Sequence, residues 1–252
     1  MNGVALCSRF SLPTADRRFC GPATAPTSLR ASLRGEDAPG RRDLRRFEAL
    51  FPYLEVIAEE TGGDPLDEEV VEAYWIGNGL LERDWRSAFP EILRRLVKRG
   101  LPPTFATRLA GSLPPRPLPY HTFHVLFVGV GVVTGHVPTT LRNMDACRVR
   151  WGRVTDSGSR LEVVSEDLVR PQGAFALAGP RRRRQDRGDG LGRVAEGDVV
   201  ASHWGEAVLR LSDSQTRSVE RFTAEAIASA NEAAVRPEPR LPYPLAFSSS
   251  ST

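Results

Sequence analysis

The sequence is poor in the residues that most often hold metal ions or form disulfides. It has three cysteines and four histidines in 252 residues. Cys7, Cys20 and Cys147 are an odd number at wide and irregular spacing, so they match neither a disulfide framework nor a zinc-binding pattern, and we expect reduced thiols. No carboxylate–histidine spacing suggests zinc. The sequence therefore predicts a protein without metal.

Long apolar runs and a dominant charge are also absent. No stretch is long enough to cross a membrane, and the N-terminal "GVAL" is too short for a signal-peptide core. We expect a cytoplasmic protein with no membrane partner. The net charge is +3, from 34 basic and 31 acidic residues. A basic segment at 180–193 fits contact with nucleic acid or an acidic partner, but no nucleic-acid-binding signature accompanies it, so we favour a solvated loop and no nucleic acid.

A phosphate-binding loop is missing as well. The run "GVGVVTG" at 129–135 lacks the G-x-G-x-x-G spacing, and no helix starts directly after it. We therefore expect no nucleotide cofactor, and together with the absence of metal patterns this predicts a protein that works without cofactors.

The hydrophobic pattern predicts an α+β fold with a helical N-terminal half. Residues 1–40 are rich in Pro, Gly, Ser and Thr, which favours irregular structure. One helical stripe runs from Arg42 to Ala58, and a second helix is expected at 64–76, with Asp64 as N-cap and Gly77 at its end. Further helices are expected from Pro90 to Gly100 and over 104–110.

The second half has a different periodicity. The run "HTFHVLFVGVGVV" from His121 predicts one or two buried strands, and short strands follow at regular spacing, as in a small, mostly antiparallel barrel or bent sheet. A helix at 214–234 closes the fold. We expect a helical part at 1–119, a β part with the closing helix at 120–235 and a tail at 236–252, forming one compact unit.

Glu72 is the sharpest catalytic candidate. It lies in the 64–76 helix, which is apolar almost all round, between Trp75 and Ile76. Burial raises the pKa of a carboxyl group, which suits a general acid and base near neutral pH. The alternative is a structural ion pair between Glu72 and an arginine of a neighbouring helix, for example Arg46.

The histidines and tryptophans offer weaker candidates. His121 and His124 would lie on opposite faces of one strand, so they would not bind the same metal ion. His124 suits a proton shuttle or a donor to substrate, and the alternative is a hydrogen-bonded core histidine. Trp75 could contact a flat aromatic ligand, against core packing as its default.

Six segments of the chain carry a family resemblance: "FCGP", "FPYLEVIA", "DPLDEEVVEAYWIGN", "HTFHV", "CRVRWGRV" and "GDVVASHWG". Together they resemble an actinobacterial family that is often encoded near hydrogenase genes. The block around "VVEAYW" also resembles the bacterial Pictet–Spengler cyclases, which build β-carboline alkaloids from tryptophan and an aldehyde.

This resemblance implies a function. The catalytic glutamate of those cyclases falls on Glu72, which would protonate the leaving hydroxyl of a carbinolamine and then take the proton that restores aromaticity. Arg46 is the nearest match to the arginine that binds the substrate carboxylate, and we expect Trp75, Asn78 and His124 to belong to the substrate site. The histidine expected ten residues before the glutamate is replaced by Gly62.

Two functional hypotheses follow. The first is a cofactor-free cyclase that condenses L-tryptophan or a related arylethylamine with an aldehyde. A homodimer is compatible with this hypothesis. The second is a non-catalytic accessory or binding protein, for example one associated with hydrogenase.

Overall fold

The protein has an α+β fold, with most of its helices in the N-terminal half and its strands in one sheet, as the sequence predicts. The computed structural model describes residues 2–235, so the tail expected at 236–252 lies outside the described residues. The helices are α1 (Gly3–Asp16), α2 (Ala25–Leu33), α3 (Asp37–Leu44), α4 (Phe51–Thr61), α5 (Glu68–Trp75), α6 (Phe89–Val97), α7 (Pro103–Gly111), α8 (His121–Phe123), α9 (Leu141–Cys147) and α10 (Asp213–Val235). The strands are β1 (Arg150–Asp156), β2 (Leu161–Val169), β3 (Ala176–Arg187), β4 (Val199–His203) and β5 (Glu206–Arg210).

Residues 2–40 are mostly helical, so the prediction of an irregular N-terminal segment is wrong. The side chain of Asn2 caps α1 by accepting from the Ala5 N–H at 2.8 Å. Pro26 lies in the first turn of α2, where a missing N–H costs nothing. Most of α1 is buried, and tertiary packing therefore stabilises a helix whose composition alone favours turns.

The helix boundaries between residues 42 and 76 also differ from the prediction. The single stripe expected from Arg42 is divided between α3 and α4 by a turn, and Pro52 lies in the first turn of α4. Helix α5 begins after Asp67 rather than after Asp64. Asp64 belongs to the preceding turn, where its side chain accepts from the Leu66 N–H at 2.9 Å. Gly77 follows α5 with a φ of 90°, and a Cβ there would lie 2.2 Å from Cδ2 of Phe222.

The segment expected to form strands after Tyr120 is helical. It contains α8 and a π-helical segment, His124–Gly129, which ends where Gly129 adopts a φ of 103°. Its branched residues are buried nearly all round, and a short apolar run of this kind does not distinguish a strand from a buried helix. His121 and His124 are therefore one helical turn apart, and the prediction that they face opposite sides of a strand is wrong.

The strands close into a small barrel in the order β1–β2–β3–β5–β4. The strand pairs are antiparallel except for β3 and β5, which are parallel at Asp186 and Glu206. The basic segment predicted as a loop at 180–193 instead continues β3 as far as Arg187, because its backbone pairs with β2. The barrel has its own hydrophobic cluster, formed by Val154, Leu161, Val163, Leu191, Val194, Val200 and Ala207.

The main hydrophobic core joins the helices to the barrel. It contains residues from both sides of the boundary expected at 119 and 120, for example Phe10 of α1 and Val208 of β5. Within residues 2–235, no helix is both long and apolar enough to span a membrane.

Candidate metal centre

A buried pocket lies where α1, α5, α8, α9 and β4 meet. Its cavity has a volume of about 40 Å³, which holds a metal ion or one or two waters but not a tryptophan. Its lining includes three of the four histidines and two of the three cysteines of the chain: His121, His124, His203, Cys20 and Cys147. The scarce metal-ligating residues are thus concentrated in one place.

His203 carries an unused nitrogen in this pocket. It is the last residue of β4 and is 1% exposed. Its Nδ1 lies 2.6 Å from the backbone carbonyl of Phe10, and since a carbonyl only accepts, Nδ1 carries the proton. Nε2 therefore has a free lone pair, and it has no hydrogen-bond partner among the described residues. The backbone carbonyl of Cys147 also lies near His203. It does not satisfy Nε2, because a carbonyl only accepts a hydrogen bond and Nε2 has no proton to donate.

His121 and Cys147 lie beside this nitrogen. The Nδ1 of His121 lies 3.0 Å from the Tyr74 hydroxyl, and its Nε2 lies 2.8 Å from the Cys147 carbonyl and 3.8 Å from the Cys147 sulfur. Cys147 ends α9, and the backbone N–H of Trp204 donates to the Ala146 carbonyl at 2.7 Å, which holds the turn after His203 against this helix.

The three residues have the geometry of a metal-binding cluster. The ligating atoms of His121, Cys147 and His203 all lie within 4.8 Å of one another. Zn–S and Zn–N bonds of about 2.3 and 2.0–2.1 Å at a tetrahedral angle put sulfur and nitrogen about 3.6 Å apart. The observed 3.8 Å between Cys147 and His121 is close to that separation.

Burial sets the protonation states in the pocket. It lowers the pKa of His203 to about 4 and holds the pKa of His121 well below its ordinary value. Burial also raises the pKa of the Cys147 thiol, and a contact from the Trp204 side chain opposes that rise. At neutral pH both imidazoles are therefore uncharged, and Nε2 of His203 is free to bind a cation. Nε2 of His121 donates to the Cys147 carbonyl, so it binds a cation only after its proton moves to Nδ1. Cys147 keeps a proton that a metal would displace.

The residues proposed from the sequence do not all meet at this pocket. Trp75 and His124 line it, and the Nδ1 of His124 lies 3.0 Å from the Tyr53 hydroxyl. Asn78, Glu72 and Arg46 are not part of its lining in the region that the structure describes.

Glu72 has partners of its own outside the pocket. It is half-buried on α5, and its Oε1 accepts from the Gln215 side chain at 2.7 Å while its Oε2 accepts from Asn78 at 3.4 Å. Two amides rather than the guanidinium of Arg46 therefore satisfy the carboxylate, and Arg46 is exposed in the turn between α3 and α4. The roles assigned to these residues in substrate binding and catalysis stay predictions.

Sequence reasoning missed the cluster because its members lie at positions 121, 147 and 203, with no spacing that links them. The one available signal is chemical: His121 and His203 lie in segments that are mostly apolar, as in "VVASH". A polar side chain in such a segment needs a partner or a ligand.

Comparison with known proteins gives a family without an assigned activity. Residues 1–237 match the model of a family of unknown function, DUF6390. No curated protein and no solved structure matches the chain. Because the match covers nearly the whole sequence, the chain belongs to the DUF6390 family.

Proposed function

We propose that this protein binds a transition-metal ion, of the Zn²⁺ class, at His121, Cys147 and His203. The observation that carries the proposal is the buried Nε2 of His203, which faces a cysteine and a second histidine and has no hydrogen-bond partner among the described residues. A buried polar atom without a partner is costly, and a bound cation removes that cost.

The ligand set favours a borderline-soft divalent ion. Two imidazole nitrogens and one thiolate suit Zn²⁺, whereas Mg²⁺ and Ca²⁺ prefer oxygen ligands. Three protein ligands leave one tetrahedral position for water or a small ligand, which is the arrangement of reactive rather than purely structural zinc sites. When bound, such an ion supplies a Lewis acid.

The surrounding residues orient the ligands. The Phe10 carbonyl fixes the tautomer of His203, which leaves Nε2 available, and this is the outer contact that metal-binding histidines usually have. Tyr74 does the same for His121 once its Nδ1 carries the proton, because the hydroxyl can accept as well as donate. Stacking of Trp75 on Phe10, with ring centroids 4.9 Å apart, shields this region from water.

Metal titration of the purified full-length chain tests the proposal. After treatment with a chelator, the protein is titrated with Zn²⁺ against a chromophoric indicator, and we expect one ion per chain. His203→Ala should weaken binding by more than about 100-fold, because even loss of an outer contact costs 10–100-fold. His136→Ala is the matched control, because His136 is exposed and is not part of the pocket lining. Equal affinity in both variants, or no binding by the parent, would contradict the proposal.

Co²⁺ provides a direct test of the thiolate. Co²⁺ bound by Cys147 should show a thiolate-to-metal charge-transfer band in the near ultraviolet. Cys147→Ser should abolish this band and Cys7→Ser should keep it, because Cys7 is not in the cluster. A band that survives in Cys147→Ser would assign the metal to other ligands.

This proposal replaces the expectation of a metal-free protein, and the same titration decides between them. The cyclase hypothesis stays a prediction. It requires a cavity for an arylethylamine beside Glu72, whereas the pocket that contains Trp75 and His124 is small and does not include Glu72. The alternative of a non-catalytic binding protein is compatible with a metal centre.

A further inference from the structure

A second candidate site lies on the outside of the barrel, where β3 carries four consecutive exposed arginines. A groove of about 590 Å³ runs beside this strand. Its charged lining consists of Arg142, Arg150, Arg182, Arg183, Arg184 and Asp145. A volume of this size is typical of small-molecule sites.

Guanidinium groups outnumber carboxylates here. Asp167 is shared by Arg150 at 3.1 Å, Arg181 at 3.3 Å and Arg183 at 2.5 Å. The single carboxylate of Glu162 lies 3.5 Å from both Arg182 and Arg184.

The groove therefore keeps positive charge that the protein does not neutralise. The ion pairs of Arg182 and Arg184 are long, and both side chains are well exposed, so these arginines can turn toward a ligand at little cost.

A buried glutamine follows the arginines at the edge of the groove. Gln185 follows the arginines on β3 and is 3% exposed, and its side-chain Oε1 has no hydrogen-bond partner in residues 2–235. Gln185 pairs across the strands with Leu161 of the barrel's hydrophobic cluster, so its side chain lies on the inner face of the sheet. The arginines therefore supply the polar contacts of the groove.

We propose that this groove binds a small polyanion that carries two or more phosphate groups. Arginine forks match phosphate oxygens in a bidentate way, and several forks around one groove suit a compact cluster of negative charge. The limited extent of the charge favours a small molecule over nucleic acid. The whole chain has a net charge of only +3, so it has no extended surplus of the kind that follows a phosphate backbone.

Calorimetric titration of the full chain with inorganic triphosphate tests this site. We expect one triphosphate per chain, with an affinity that falls as salt rises. The double variant Arg182→Gln/Arg184→Gln should weaken binding by about tenfold or more, since hydrogen bonds to charged groups are each worth about that factor. The matched control is Arg34→Gln/Arg83→Gln, which removes the same charge from exposed positions outside the groove and should stay within about twofold.

Two further titrations define the ligand. Citrate, a polycarboxylate, should bind more weakly than triphosphate if phosphate is the preferred group. Single-stranded oligonucleotides of increasing length should bind no better than triphosphate. Affinity that grows with oligonucleotide length, absence of triphosphate binding, or equal losses in the two double variants would each overturn the proposal.

Discussion

Replacing Asp145 with asparagine is expected to lower the free energy of unfolding by about 3 kcal/mol. Asp145 is 14% exposed and pairs with Arg148, which is 1% exposed, at 3.0 Å. The same carboxylate binds Arg150 and accepts from the backbone N–H of Leu168 at 2.9 Å. Asparagine preserves the shape but removes the charge, so Arg148 keeps its positive charge in a buried place.

The estimate follows from the burial of this pair. Removing one partner of a buried ion pair costs about 3–5 kcal/mol, and the low end applies because Arg148 also donates to the Glu166 carbonyl at 2.5 Å. In a domain of this size about 3 kcal/mol corresponds to a fall in Tm of roughly 6–12 °C. The effect also matters for the proposed site, because α9 carries both Asp145 and Cys147.

Thermal and urea unfolding of the full chain measure the effect. Asp186→Asn is the matched control: its pair with Arg160 has a similar distance, 2.8 Å, but the two side chains are 57% and 54% exposed, so we expect a loss below about 1 kcal/mol. Adding Arg148→Met to Asp145→Asn should recover part of the loss, because it removes the unpaired charge. Equal melting of the two single variants would refute the reasoning.

Three other predictions concern separate parts of the molecule. Glu72→Gln should keep the fold, and if the cyclase hypothesis holds it should slow condensation of tryptophan with aldehydes by roughly two to four orders of magnitude by mass spectrometry; an unchanged rate would contradict catalysis by this residue. Burial lowers the pKa of His124 from 6.5 to about 4, so the unfolded chain takes up the proton first and stability falls as pH falls from 6.5 to 4. His124 alone contributes at most about 1.4 kcal/mol per pH unit to this fall, and His121 and His203 add to it. His124→Asn should reduce the slope of that part of the profile and His136→Asn should not, and identical profiles would rule the assignment out. Gly77→Ala should lower the Tm strongly, because its Cβ would lie 2.2 Å from Phe222 and its φ is 90°; a melt within about 2 °C of the parent would contradict this.

Local sequence patterns predicted those helices and strands whose caps, breakers and periodicity all indicate the same element. The closing helix was expected at 214–234 and spans Asp213–Val235, and the helix expected at 104–110 spans Pro103–Gly111. The short strands at regular spacing predicted a small barrel, which the closed sheet confirms. These elements have caps, breakers and periodicity within a few residues, so the sequence carries their signal locally.

Other elements depend on packing that no local pattern contains. Residues 121–129 have a composition typical of strands but form a helix, since burial on every side removes the periodicity that distinguishes the two. The N-terminal segment, expected to be irregular, is largely buried as α1.

The sequence by itself determined the α+β class and the ends of α7 and α10 to within one residue, and it limited the sheet to a small barrel or a bent sheet. Caps, turn residues and alternation act over a few positions, so these features are encoded locally. Only the tertiary structure decided which side chains share a site. It brings His121, Cys147 and His203 together from three elements and leaves Glu72 with Gln215 and Asn78. Contacts between residues far apart in the chain are set by how the helices and strands pack, and that packing depends on the whole core rather than on any one segment.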